Sequence, residues 1–159
     1  MLYRATIAAM ALVVTTPTNA GVFKDDTDRF TGNRSVTWNS LPSQANEYSF
    51  STAALYLKGS SKPGYYRLQL MTWSNNAEFR NCHHTNWLVD GVLDPYLNYD
   101  YSATSAGSAI IERFDKQVDR ANLQRLASAK LIEFQVCSTE GKISQSDMEG
   151  MRKVLDATK

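Results

Sequence analysis

Apolar and polar residues alternate most clearly in YYRLQLMTW, residues 65–73. Tyr66, Leu68 and Leu70 fall on one side there, and Arg67 and Gln69 on the other. A two-residue period is that of a strand with one buried face. Tyr48 to Leu57 reads as a second strand, because Tyr, Phe, Thr and Leu dominate it and alanines fill the small positions. The turn formers Gly59-Ser60-Ser61-Lys62-Pro63-Gly64 separate the two. That connection is too short for a parallel crossover, so the pair is expected to be an antiparallel hairpin. LIEFQVC, residues 131–137, repeats the pattern, with Ile132, Phe134 and Val136 on one face and Glu133, Gln135 and Cys137 on the other. Shorter strands are expected at Val36-Thr37-Trp38, between Gly32-Asn33 and the break at Leu41-Pro42-Ser43, and at Trp87-Leu88-Val89, closed by the turn Asp90-Gly91.

The period changes toward the C-terminus. Asp119 is placed to cap a helix running to about Ala129, with Leu123, Leu126 and Ala127 as its apolar stripe. Ser144-Gln145-Ser146-Asp147 resembles a capping box with Asp in the usual place of Glu, and Met148, Met151, Val154 and Leu155 follow at helical spacing. Ile110 to Phe114 is too short for its period to choose between strand and helix. VLDPYLNYDYSATSAGSA, residues 92–109, reads as a tyrosine-rich loop with room for short strands, and Gly141 as a turn. Strands followed by helix, strand and helix predict one α+β domain over residues 21–159. Its expected form is an antiparallel sheet with two C-terminal helices on one face.

Composition changes this picture in one respect. MLYRATIAAMALVVTTPTNA, residues 1–20, has Arg4 before the uncharged run Ala5 to Val14, then Pro17 and the small-residue ending Thr18-Asn19-Ala20. That is the pattern of a secretory signal peptide, too short to span about 30 Å of hydrocarbon as a helix. The expected location is therefore exported, periplasmic or secreted, with no membrane span. In an oxidising compartment two cysteines are most simply one disulfide, here Cys82–Cys137. Removing the leader takes 17 Lys+Arg to 16 against 16 Asp+Glu, a formally neutral chain. With no basic run or acidic tail, the electrostatic footprint of a nucleic-acid binder is missing.

Candidate chemistry concentrates in NCHH, residues 81–84. Two imidazoles and a thiolate suit zinc or copper, but structural zinc motifs space their ligands by two or more residues. A metal site on His83 and His84 would need Glu78, Asp90 or Asp94 to complete it once Cys82 is in a disulfide. The reading adopted is a disulfide anchor beside two ordinary histidines, with no cofactor. A cysteine nucleophile is disfavoured by oxidation, and no G-x-S-x-G, Walker, dinucleotide-binding or HExxH pattern occurs. The loop holding Asp94, Tyr96, Tyr99 and Tyr101, extended by Trp73, has the composition of a recognition surface, because tyrosine offers rigid contact area and a polar hydroxyl. The chain is thus expected to be a small exported binding or accessory protein without catalytic machinery. Its partner would be a protein or a glycan of the envelope or extracellular space. An exported hydrolase and a metal-binding protein using His83 and His84 are the alternatives.

Overall fold

The computed structural model describes residues 21–40 and 47–159. The expected leader and the break at Leu41-Pro42-Ser43 lie outside the described residues. Among the described residues ten strands and two helices follow one another: β1 (Gly21–Thr27), β2 (Arg34–Ser40), β3 (Ser49–Tyr56), β4 (Tyr65–Ser74), β5 (Thr85–Val89), β6 (Val92–Leu93), β7 (Asp100–Ala106), β8 (Ala109–Val118), α1 (Arg120–Ala127), β9 (Ile132–Val136), β10 (Thr139–Lys142) and α2 (Gln145–Asp156). The class is α+β and dominated by sheet. No helix among the described residues is long and apolar enough to cross a membrane.

Two departures from the expected architecture have a clear physical origin. The strands form two antiparallel sheets instead of one, ordered β1-β2-β3-β4-β8-β7 and β10-β9-β5-β6. Only α2 is C-terminal, since the β9–β10 hairpin follows α1. Within the supposed loop, Asp100–Ala106 pairs with β8 from Asp100↔Asp115 to Ala106↔Ala109. Its side chains are small, polar and mostly exposed, so no apolar period marks it. The same ladder makes Ile110–Phe114 part of a ten-residue strand. Gly141 lies in β10 opposite Phe134, whose ring stands where a Cβ would be, and the turn falls earlier, at Cys137 with φ 56°. Cys137 therefore leaves the strand instead of sharing a face with Glu133 and Gln135.

The predicted hairpin is present in the register Phe50↔Leu70 and Ala54↔Tyr66. Its inner face, which includes Leu68 and is continued by Val36, Trp38, Phe114 and Val118, is buried. Each of these side chains contributes about 1.5–3 kcal/mol by leaving water. The helices cover one end of that face. Ser144 caps α2 by accepting from Asp147 N–H, and Asp119 caps α1 by accepting from Asn122 N–H. α2 sits so close to β2 that a Cβ on Gly150 would meet the Trp38 ring at 2.2 Å. The Trp38 indole N–H donates to Asp147 Oδ1 at 2.9 Å within this contact.

The small sheet covers the other end through aromatic rings. Trp87 and Phe134, opposite one another on β5 and β9, pack at 5.3 Å. Tyr48 meets Phe134 edge-on at 5.2 Å, and Phe79 meets Phe114 of the large sheet edge-on at 5.6 Å. Cys82 and Cys137 form a disulfide that closes 55 residues of chain. By loop-closure entropy a loop of that length is worth about 4 kcal/mol.

Tyr99 is one of these packed rings. It is 5% exposed and stacks on Trp87 at 4.6 Å, while its hydroxyl and the Trp87 indole N–H have no hydrogen-bond partner among the described residues. An unpaired buried hydroxyl is a cost and the ring is a gain. Tyr99→Phe should therefore leave unfolding free energy unchanged or raise it by about 1 kcal/mol. Tyr99→Ala should lower it by about 3–5 kcal/mol. Urea unfolding of the two variants checks the contrast, and equal losses would place the stabilisation in the hydroxyl instead.

Candidate functional site

The residues singled out in the sequence do not converge. Trp73, 37% exposed, lies on the outer face of the large sheet opposite Ile111, whereas Tyr101 pairs with Phe114 on the inner side. Tyr99 is interior. Asp94 is held within the fold, ion-paired to Arg125 of α1 at 2.6 Å and accepting from Tyr96 N–H at 3.1 Å. Tyr96 alone among the five lines a groove at the end of β8.

The chain leading into NCHH is held by a buried carboxylate. Glu112 of β8 is 0% exposed and accepts from the backbone N–H groups of Glu78 and Phe79 at 2.8 and 2.9 Å. The Tyr101 hydroxyl donates to it at 2.6 Å. His83 stacks on the Tyr101 ring at 5.0 Å, and Cys82 Sγ lies 3.5 Å from His84 Nδ1. Among the described residues no grouping of metal-ligand side chains includes His83, Glu78, Asp90 or Asp94; the one that forms joins Cys82, His84 and Cys137. Asp90 instead accepts from the N–H groups of Lys130 and Leu131 and sits at φ 52° in the β5–β6 turn.

A groove of about 740 Å³ opens where β8 ends, α1 begins and α2 finishes; Lys62, Tyr65, Tyr66, Tyr96, Asp119 and Arg120 are among its lining residues. β7 pairs with β8 only as far as Asp115, so the last residues of β8 leave this side open. Tyr65 and Tyr96 are 39% and 41% exposed, and Lys116 Nζ lies 4.8 Å from the Tyr96 ring centre.

Arg120 forms the floor. One of its nitrogens donates to the Tyr66 hydroxyl at 2.8 Å and to Thr158 O at 2.8 Å, and the other to Leu155 O at 3.0 Å. All these partners are neutral, and no ion pair to Arg120 exists among the described residues. The guanidinium is thus not engaged by a carboxylate. The backbone carbonyls at the C-terminal end of α2, the negative pole of that helix, hold it in place. Lys62 adds a second cation, Lys159 is paired to Asp156 at 2.9 Å, and Asp119 spends Oδ1 on the cap of α1. The sequence carried one signal for this site. Arg120 is a cation in the first turn of a helix that has no acidic residue there, the wrong sign for the positive helix end. Only the approach of α2 compensates it.

No protein-family model, curated protein or solved structure matches the chain.

Two outcomes follow from the Glu112 cluster. Glu112→Gln turns an amide N–H toward one of three donors and should lower unfolding free energy by about 2–4 kcal/mol in urea titration. A loss below 0.5 kcal/mol would mean that the cluster is dispensable. Burial, then the hydrogen bond to Glu112 and the charge of Glu112, push the Tyr101 hydroxyl up to about 12, and burial also raises Tyr99. Unfolded tyrosine titrates near pH 10, so the folded chain holds these protons more tightly. The stability they contribute is complete below pH ~10 and is lost as pH rises through about 12. Unfolding free energy should be level up to about pH 9.5 and fall between 10 and 12, and a flat profile across that window would contradict it.

Proposed function

We propose that this protein is a non-catalytic binding protein whose ligand is an acidic glycan, held in the groove between Tyr65 and Tyr96 over Arg120. The observation that carries this reading is the guanidinium of Arg120. It is fixed by neutral oxygens, with no ion pair to it among the described residues, in a groove of about 740 Å³. A cation positioned in this way by backbone carbonyls is pre-organised for a carboxylate or phosphate, and the second cation, Lys62, extends the attraction along the groove. The exposed rings of Tyr65 and Tyr96 offer flat apolar faces to a sugar ring and hydroxyls to its edge. The export expected from residues 1–20 would place such a protein among envelope or extracellular polymers.

The same groove supports binding over hydrolysis. Glycoside hydrolysis uses two carboxyl groups on either side of the scissile bond. Asp119 is the one acidic side chain lining the groove among the described residues, and it is bonded to the first turn of α1.

Titration calorimetry or affinity electrophoresis with a panel of acidic and neutral polysaccharides tests the proposal. Acidic members should bind and neutral ones should not, with affinity falling as salt is raised. Tyr65→Ala with Tyr96→Ala should weaken binding at least tenfold, about 1.4 kcal/mol, with the melting temperature nearly unchanged because both rings are exposed. Lys62→Ala should weaken it less and flatten the salt dependence. Equal retention of the double variant, or binding indifferent to ligand charge, would move the ligand elsewhere.

A further inference from the structure

The disulfide lies beside a histidine. Cys82 Sγ, Cys137 Sγ and a ring nitrogen of His84 all lie within 4.8 Å of one another. In the oxidised chain the sulfurs are bonded to each other and unavailable as ligands. We propose that, once this disulfide is reduced, Cys82, His84 and Cys137 form a binding site for a single thiophilic d10 cation, Zn2+ or Cu+.

Three features of the geometry support this. First, the three side chains do not depend on the S–S bond to be near one another. Cys137 N–H donates to His84 O at 3.1 Å, and the next pair along, Thr85↔Val136, begins the β5–β9 ladder that runs on to Val89↔Ile132. The backbone of the site is therefore the end of a sheet whose inner face carries Trp87 and Phe134, both buried. Second, the separations fit an ion. Cys82 Sγ stands 3.5 Å from His84 Nδ1. Bonds of about 2.3 Å to sulfur and 2.0–2.1 Å to nitrogen put the two atoms about 3.6 Å apart on a tetrahedral ion. The cysteine Cα atoms are 6.0 Å apart, which suits the disulfide, and a turn about the Cα–Cβ bonds opens the sulfurs to the roughly 3.8 Å that two thiolates on one ion require. Third, the donor set selects the ion. Two thiolates and an imidazole are soft and borderline ligands, which favour Cu+ in a trigonal site or Zn2+ with water in the fourth position over hard cations.

The chemistry balances with a dithiol as reductant. One thiolate of the dithiol attacks a sulfur of Cys82–Cys137, and its second thiol resolves the mixed disulfide. Cys82 and Cys137 are left as thiols and the reductant as its own disulfide. The metal ion then displaces one proton from each thiol, two per ion, and takes the lone pair of neutral His84 Nδ1. Disulfide and metal are mutually exclusive occupants of one site, so the redox state of the surroundings decides whether the protein takes up the ion. His83 is outside the site, stacked on Tyr101.

The test uses the whole protein, reduced anaerobically with a dithiol that is then removed. Zn2+ and Cu+ are titrated separately against chromophoric chelators. The reduced chain should take one ion, at least 100-fold more tightly than the oxidised chain, and release two protons on binding Zn2+. Co2+ added to the reduced chain should give thiolate-to-metal charge-transfer absorption that the oxidised chain lacks. His84→Ala, which leaves both cysteines in place, should weaken binding by the reduced chain at least tenfold. Tighter binding of Zn2+ or of Cu+ identifies the ion, and either supports the site. Binding by the reduced chain no tighter than by the oxidised one, or unchanged in His84→Ala, overturns it. Near-ultraviolet circular dichroism of the reduced, metal-free chain should keep the signal of the packed Trp87–Tyr99 pair. Collapse of that signal would also overturn the proposal, because the ladder would then not hold the site without the S–S bond.

Discussion

The Glu112 carboxylate occupies the centre of the inner face of β8, fully out of water, with Thr72 beside it on β4 and Ala103 on β7. A charge in that position is expensive unless it is hydrogen-bonded. Two donors come from the backbone of Glu78 and Phe79, in the connection between the two sheets, and the third is the Tyr101 hydroxyl on β7. Because the penalty for losing any of them is large, the connection has one course. Phe79 is set against Phe114, and the next residues lead to Cys82 and into β5. The relative placement of the two sheets follows from this one acceptor.

Aromatic packing and the disulfide complete what the carboxylate begins. Tyr48, Phe79, Trp87, Tyr99, Phe114 and Phe134 form a continuous set of ring contacts between the sheets. The Cys82–Cys137 bond joins the end of the connection to the β9–β10 turn. The tyrosines that look like a recognition surface in the sequence are divided by this packing. Tyr99 goes into the core, Tyr101 to the buried carboxylate, and Tyr96 to the edge of a groove.

That groove exists because β8 outruns β7 and because α2 ends beside the first turn of α1. Arg120, mismatched to its own helix, is satisfied by the carbonyls of another. An arginine held by neutral oxygens is rigid and still charged, the combination that suits an anion site. In the second site, the turn at Cys137, with its positive φ, and the ladder through Thr85 keep His84 beside the two sulfurs. The two candidate sites share no residue, so each can be disabled without the other.

The sequence by itself determined the elements with a strong local period or an unambiguous cap. The β3–β4 hairpin, β5, β9 and both capped helices are legible because alternation, turn residues and a capping serine or aspartate act within a few residues of one another. The disulfide was legible because two cysteines leave one pairing. β1, β7 and β10 were not, since GVFKDDT, DYSATSA and TEGK are mostly exposed edge segments whose order comes from backbone hydrogen bonds to the adjoining strand of a hairpin and not from a buried face. The division into two sheets was likewise invisible, because a buried glutamate in a strand reads as a surface residue until its three donors arrive from elsewhere. The groove and the Cys82–His84–Cys137 cluster were decided at the same level. Each depends on groups brought together by long-range pairing, and a local period carries no record of which distant backbone will satisfy a charge.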